Sequence, residues 1–342
     1  PSGIWTTVLD PMDGGGPYVL TARQGLVNAT LRDVYFGDVW LCSGQSNMAM
    51  TVSQIANASR ELADAARYPY VRIFAAAPVR SDVELEDLER IDLPWSIPTA
   101  GECNLSPAPR FWGTGEANAF VHTDRYNCTF PTLIADWRQA FHAGSSGQTE
   151  PLLPFGFVQL STYRRRSLDD SFARLRWHQT ADLGVVPNAR IPSTFMAVAM
   201  DLGDEHSPYG IHPRDKQNVA HRLHLGARAV AYGEKNLVFQ GPYPTRAVLE
   251  VTGALLNITY SQELVCRWRE TPAFEVCCSS QLAPCGWLPA PVVAVGSRMV
   301  TLALAGCGML VLGLRYAWAE WPCDYQSCIL YNTQGLPAPP FL

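Results

Sequence analysis

A chain of 342 residues has room for about two domains, and 47% apolar with 17% charged residues suits a globular protein with a sizeable core, not a disordered one. The formal net charge of −5 argues against a nucleic-acid partner, which needs a basic face. The basic run Arg164-Arg165-Arg166 is soon followed by Asp169-Asp170 and reads as a solvated loop.

The chain starts at Pro1 with neither Met nor an apolar leader, so it reads as a mature form or a fragment. Residues 1–33 read as short strands with turns, notably around Asp13-Gly14-Gly15-Gly16-Pro17, the remainder of an amino-terminal β region. From 34 to 235 strands alternate with helices. Val71 to Phe74 reads as a strand, and Pro131 to His142 as a helix with Leu133, Trp137 and Phe141 on one face. Phe155 to Leu160 and Thr194 to Met200 are apolar runs of strand length. Pro213 suits the start of a helix whose stripe is Val219, Leu223, Ala227 and Val230, closed by Gly233. Such alternation predicts an α/β domain, a parallel sheet flanked by helices. Residues 236–342 change to short β runs, among them Ala254 to Tyr260 and Met299 to Leu302, and predict a separate β-sandwich-like domain. Met299 to Leu314 is too short and too glycine-rich for a membrane span, and reads as two strands around Gly306-Cys307-Gly308.

Ten cysteines and five Asn-x-Ser/Thr sequons point together to the secretory pathway, where disulfides persist and sequons are glycosylated. The sequons are Asn28, Asn57, Asn127 and Asn257, with Asn104 the weakest because Pro107 follows its Ser106. The cysteines lack a repeated C-x-x-C pattern, and His221 and His224 lack a third ligand, so no metal site is expected. Cys42 reads as a buried structural thiol.

Three segments carry chemistry. In Asp38-Val39-Trp40-Leu41-Cys42-Ser43-Gly44-Gln45-Ser46-Asn47-Met48 an apolar strand runs into a tight turn. A serine there faces the crevice in which open α/β sheets bind ligands, and backbone N–H groups of the turn can stabilise an oxyanion. Asp201-Leu202-Gly203-Asp204 follows the apolar run at 194–200 and precedes Ile211-His212-Pro213-Arg214, which supplies a base and an acidic orienter. Between them, Trp112-Gly113-Thr114-Gly115-Glu116-Ala117-Asn118 lets the backbone approach a ligand and offers an Asn amide. Each segment alone is an ordinary turn or loop; their joint occurrence is what points to a site.

In this order the blocks resemble the SGNH hydrolases, specifically the sialate O-acetylesterases. The resemblance covers nearly the whole chain, including Phe36 to Leu41, Tyr126 to Pro131, Arg176 to Thr180 and Leu314 to Trp318. It implies Ser46 as nucleophile, His212 as general base and Asn118 as oxyanion donor, with Gln45, Asn47, Gly115 and Glu116 in the oxyanion and substrate site. These enzymes usually place an Asp three residues before the His. That position is Tyr209 here, so Asp204 is the first choice for the acid and Asp201 the second. Arg214 either pairs with a substrate carboxylate or forms a surface ion pair. The resemblance further implies an SGNH-like sheet, no cofactor, an O-acetylated sialic acid or acetylated glycan as substrate, and a lysosomal or secreted location. A strand, a helix and a Gly-Gly turn of the family pattern are missing near 95–112. Two other readings follow, a catalytically impaired glycoprotein of the same family and an acetylxylan-type esterase.

Overall fold

The computed structural model describes residues 7–79, 81–83, 85, 87–99, 101, 115–250, 254–267, 273–278, 286–304, 307 and 310–342. An antiparallel hairpin opens the fold, β1 (Gly15–Gln24) with β2 (Val27–Phe36). It runs past residue 33 into the segment assigned to the α/β region. A short helix follows, α1 (Ala58–Ala65), and then a second antiparallel pair, β3 (Ile73–Ala76) with β4 (Ile91–Ser96). β4 contains Pro94, and a proline is tolerated in a strand where no neighbour needs its N–H.

The next helix, α2 (Tyr126–Gly144), starts five residues before the expected Pro131, which lies inside it. Proline has no N–H to bond the carbonyl four residues back. Here that carbonyl, on Asn127, accepts from Arg190 Nη2 at 3.1 Å instead, so the helix continues. Beyond it come β5 (Phe155–Gln159), α3 (Ser171–His178), β6 (Thr194–Val198) and α4 (Lys216–Val230). β5 and β6 are parallel and, among the described residues, they are the whole of the parallel sheet. All five residues of β6 are buried, as expected for a strand covered on both faces. From α2, Phe130 meets Phe155 and Phe157 edge-on.

α4 packs on β6 through an interlock that its apolar stripe did not reveal. Its buried residues are Arg222 and Gly226, while Val219, Leu223, Ala227 and Val230 are only half-buried. Phe195 of β6 lies between Gly156, its partner on β5, and Gly226 of α4. A Cβ at Gly156 would lie 2.2 Å from the ring and one at Gly226 2.6 Å from it. Helix and sheet come this close because both positions lack a side chain.

The remaining strands form β-rich layers: β7 (Pro244–Glu250), β8 (Leu255–Tyr260), β9 (Val265–Cys266), β10 (Phe274–Cys278), β11 (Gly286–Pro289), β12 (Val292–Val295), β13 (Met299–Ala303), β14 (Val311–Tyr316) and β15 (Leu330–Tyr331). One sheet has the order β12-β13-β8-β7, a second β11-β10-β14, and β15 pairs with β9. Alternation along β8 buries Leu256, Ile258 and Tyr260 on one face. β13 and β14 do not form one hairpin but join different sheets, and the Cys278–Cys307 disulfide ties the segment between them to β10. A second disulfide joins Cys323 and Cys328.

After β14 the chain returns to the α/β region. Arg176 of α3 is fully buried and donates to the carbonyls of Leu160, Ser161, Ala319 and Glu320 at 2.7–2.8 Å. The buried Glu320 carboxylate accepts from the Arg164 backbone and guanidinium. The fully buried Asp201 accepts from both Arg222 terminal nitrogens and from the Tyr331 hydroxyl. A buried charge needs an opposite charge or a full set of hydrogen bonds to be tolerated: Glu320 and Asp201 have arginine partners, and Arg176 has four carbonyl acceptors. No helix among the described residues is long and apolar enough to cross a membrane.

Candidate active site

Residues 38–43 do not form the strand expected ahead of Ser46. A strand needs a neighbour to take its N–H and C=O groups, and among the described strands none pairs with this segment. Val39 and Leu41 are exposed, and so is Cys42, which was expected to be buried. Trp40 anchors the segment instead, edge-on to Phe195, with its indole N–H on the Tyr232 hydroxyl at 3.2 Å. The chain then turns tightly: Met48 N–H bonds Gln45 O and Ala49 N–H bonds Ser46 O. The turn leaves Ser46 exposed.

His212 Nε2 lies 2.7 Å from Ser46 Oγ, within hydrogen-bond reach. The other ring nitrogen, Nδ1, is 2.6 Å from the Tyr209 carbonyl oxygen. A carbonyl only accepts, so Nδ1 carries the proton and the Nε2 lone pair faces the serine hydroxyl. A turn at Ser207–Gly210 presents that carbonyl. Ser207 Oγ takes the Tyr209 N–H and donates to His212 O, and Gly210 has φ +65°, where a side chain would be strained. α4 begins three residues later than expected, at Lys216 and not at Pro213. Asp215 is its cap, accepting from Asn218 N–H at 3.1 Å.

Neither candidate aspartate bonds the imidazole. Asp204 takes the Arg214 fork, Oδ2 at 2.7 Å from Nε and Oδ1 at 3.0 Å from Nη2, and these bonds hold its carboxyl below the usual carboxylate range. The same fork engages Arg214, which therefore does not point free toward a ligand. Asp201 belongs to Arg222 and Tyr331. Asn118 braces its own loop, Oδ1 accepting from Gly115 N–H at 3.0 Å and Nδ2 donating to Val121 O at 3.3 Å. Gln45 Oε1 accepts from Ala117 N–H at 3.1 Å, and Asn47 Nδ2 donates to Glu116 Oε2 at 3.3 Å. Burial pushes the Glu116 carboxyl up to about 7 against the opposing effects of Lys216, the Asn47 bond and Arg176. The N–H groups of Ser46 and Asn47 have no partner among the described hydrogen bonds.

Relatives of known activity match over this whole arrangement. The sialate O-acetylesterase of Homo sapiens is 44% identical over an alignment of 430 positions, which takes in all of this chain and 82% of the human one. The chain belongs to the sialate O-acetylesterase family. The sialate O-acetylesterase of Mus musculus is 43% identical over 458 residues, again with all of this chain and 84% of the mouse one. A model of the sialate O-acetylesterase C-terminal domain matches residues 245–342. In fold, the chain is similar to a crystal structure of a carbohydrate acetylesterase from Xanthomonas citri, with TM-score 0.78 and 24% identity over 96% of this chain and 85% of that one.

Membership of the sialate O-acetylesterase family makes the chain an ester hydrolase. Of the residues expected from the sequence, Ser46 and His212 meet, and Gln45, Asn47, Gly115 and Glu116 gather beside them. Asp204, Arg214 and Asn118 lie close by in sequence but are engaged with one another or with their own loop. Two features escaped sequence reasoning. The Tyr209 carbonyl is invisible because any residue carries one. Lys216, whose Nζ donates to Asn47 Oδ1 at 2.6 Å, was signalled only by its place at a helix start four residues after His212. Among the sequons, Asn28 and Asn57 are exposed, the latter in a left-handed turn before α1. Asn127 donates to Asp182 and Asn257 accepts from the Thr301 hydroxyl, while Asn104 lies outside the described residues. His221 and His224 are exposed on α4.

Proposed function

We propose that this chain removes O-acetyl groups from sialic acids and acetylated glycans with Ser46 as nucleophile and His212 as base. The observation that carries this reading is the pair of contacts on the imidazole, Nδ1 on a carbonyl and Nε2 on Ser46 Oγ. Ser46 Oγ attacks the acetyl carbonyl while Nε2 takes its proton. The oxyanion that forms is held by the N–H groups of Ser46 and Asn47, for which a turn of this shape is suited. Collapse of the tetrahedral intermediate passes the proton from His212 to the sugar oxygen and leaves an acetyl–Ser46 ester. Water, deprotonated by His212, then releases acetate and restores Ser46. The Tyr209 carbonyl stabilises the imidazolium at each stage by accepting from Nδ1–H. It is a dipole where a triad has a charge.

A reduced rate is part of the proposal. The human alignment runs over 430 positions against 342 residues here, which supports an internally shortened chain; the sequence pattern puts the gap near 95–112, mostly outside the described residues. An oxyanion donor lost with that segment lowers turnover by about 10²–10³. The disulfides and exposed sequons support the secretory or lysosomal compartment. The test is acetate release from an O-acetylated sialic acid and from acetylated xylan by the wild type and by Ser46→Ala. Release by the wild type from the sialic acid, abolished in the variant, is expected; release that survives Ser46→Ala moves the nucleophile elsewhere.

A further inference from the structure

Ser46 sits between two residues whose side chains both turn away from it to hold the same neighbour. Gln45 reaches the Ala117 N–H, and Gly115 leaves it room, since a Cβ there would lie 3.1 Å from Gln45 Cδ. Asn47 is held from two sides. Its Oδ1 accepts from Lys216 Nζ at 2.6 Å and its Nδ2 donates to Glu116 Oε2 at 3.3 Å. An ammonium only donates, so the Lys216 bond alone turns Oδ1 of the amide toward itself and leaves Nδ2 for Glu116. Lys216 is the first residue of α4, and His212 lies four positions before it on the loop that enters this helix. The Asp215 cap of the helix accepts from Asn218 and from the Tyr325 hydroxyl, so the backbone from which Lys216 extends is itself fixed.

We propose that Lys216 is a positioning residue of the esterase reaction: through the Asn47 amide it sets the Ser46 turn against His212. This rests on Ser46 and His212 being the nucleophile and base. One side chain thereby joins the base-bearing loop to the nucleophile-bearing turn. Two further ties join the same stretch to Ala56: Ala56 N–H bonds Arg214 O at 2.9 Å, and Gln217 Nε2 donates to Ala56 O. Ala56 lies ten residues beyond Ser46 whereas Asn47 adjoins it, so the Lys216 bond is the one that acts on the hydroxyl's own turn.

The ammonium is partly buried, which pulls its pKa down to about 8, while Glu116, Asp215 and Asp204 hold it up. Other titratable groups of this cluster are His212 on the same loop, Arg176 of α3 acting on Glu116, and Tyr325 bonded to Asp215. The charged form exists below the pKa. A charge-assisted bond is about twice as strong as a neutral one, so the hold on Asn47 is firm at neutral pH and weakens as pH rises through about 8.

The experiment measures kcat and KM for p-nitrophenyl acetate against pH in the wild type, Lys216→Met, Lys216→Arg and Ser46→Ala. Lys216→Met should lower kcat by about 10²-fold with KM within about twofold, the effect of a misplaced reacting group, and should lack the alkaline limb near pH 8. Lys216→Arg should recover most of kcat and carry activity past that limb, because a guanidinium stays charged. A wild-type kcat in Lys216→Met, or the same limb in all Lys216 forms, overturns the proposal. If Lys216→Met fails to fold by circular dichroism, Lys216→Arg decides alone through the position of its alkaline limb. Ser46→Ala separates the two claims. An inactive Ser46→Ala with an unaffected Lys216→Met removes Lys216 and leaves the nucleophile standing, whereas an active Ser46→Ala removes both.

Discussion

The imidazole of His212 takes its tautomer from a peptide carbonyl, and this decides which substitutions matter nearby. A carboxylate that orients a catalytic histidine is worth about 10⁴ in turnover. Asp204, the sequence-based choice for that role, is instead bonded to Arg214. Asp204→Asn keeps an acceptor for the guanidinium and leaves the Tyr209 carbonyl in place. Its kcat should stay within about tenfold of wild type, well short of the loss expected for a triad acid. Steady-state hydrolysis of p-nitrophenyl acetate measures this, and a drop near the triad value would restore Asp204 as the orienter. The sequence could show that acidic residues stand before His212. Which acceptor lies under Nδ1 depends on how the Ser207–Gly210 turn folds back, and no residue type announces that.

At the scale of elements, α4 carries both the His212 loop at its start and the close contact with β6 in its middle. Gly226 would ordinarily be a weak point, since Gly→Ala inside a helix gains up to about 1 kcal/mol from propensity. Here the added Cβ would meet Phe195 Cδ2 at 2.6 Å and Cβ at 2.7 Å. The ring has little room to yield, because it also packs against Gly156 of β5, where a Cβ would lie 2.2 Å from Cε2. Overpacking of this kind costs about 1–3 kcal/mol and outweighs the propensity gain. Gly226→Ala should therefore lower the thermal midpoint; an unchanged or raised midpoint would show that α4 shifts at no cost. Helix periodicity suggested the stripe Val219, Leu223, Ala227 and Val230. The interlock turned the buried line to Arg222 and Gly226, neither of which reads as apolar.

Across the whole molecule, buried charges join the α/β region to the carboxyl-terminal segment. Arg176 contributes four hydrogen bonds to two loops far apart in sequence, at 160–161 and 319–320. Its burial draws the guanidinium pKa down to about 9, opposed by Glu320 and Glu116. Arg176→Met would leave those four carbonyls without their donor. A buried polar group left unsatisfied costs about 1–3 kcal/mol, so losing the donor of four carbonyls removes a large part of the roughly 5–15 kcal/mol that holds a typical protein folded. The wild type should melt in one transition seen alike by near- and far-ultraviolet circular dichroism, and the variant in one transition at a much lower temperature. Two separate transitions in the wild type would mean that the halves fold independently.

Several features were determined within short stretches of sequence. Among them are the strand–helix alternation from 126 to 230, the β runs after 236, and the three blocks that carry Ser46, Glu116 and His212. These are legible because periodicity and turn chemistry act over neighbouring residues. Tertiary structure alone decided that the Val39-Trp40-Leu41 segment pairs with no described strand, that Arg190 replaces the hydrogen bond Pro131 cannot make, and that Asp201 and Asp204 face arginines. It also decided that Lys216 reaches a residue 169 positions away. Each of these depends on which distant group arrives within about 3 Å of a polar atom. The path of the chain sets that distance, and a local pattern does not contain it.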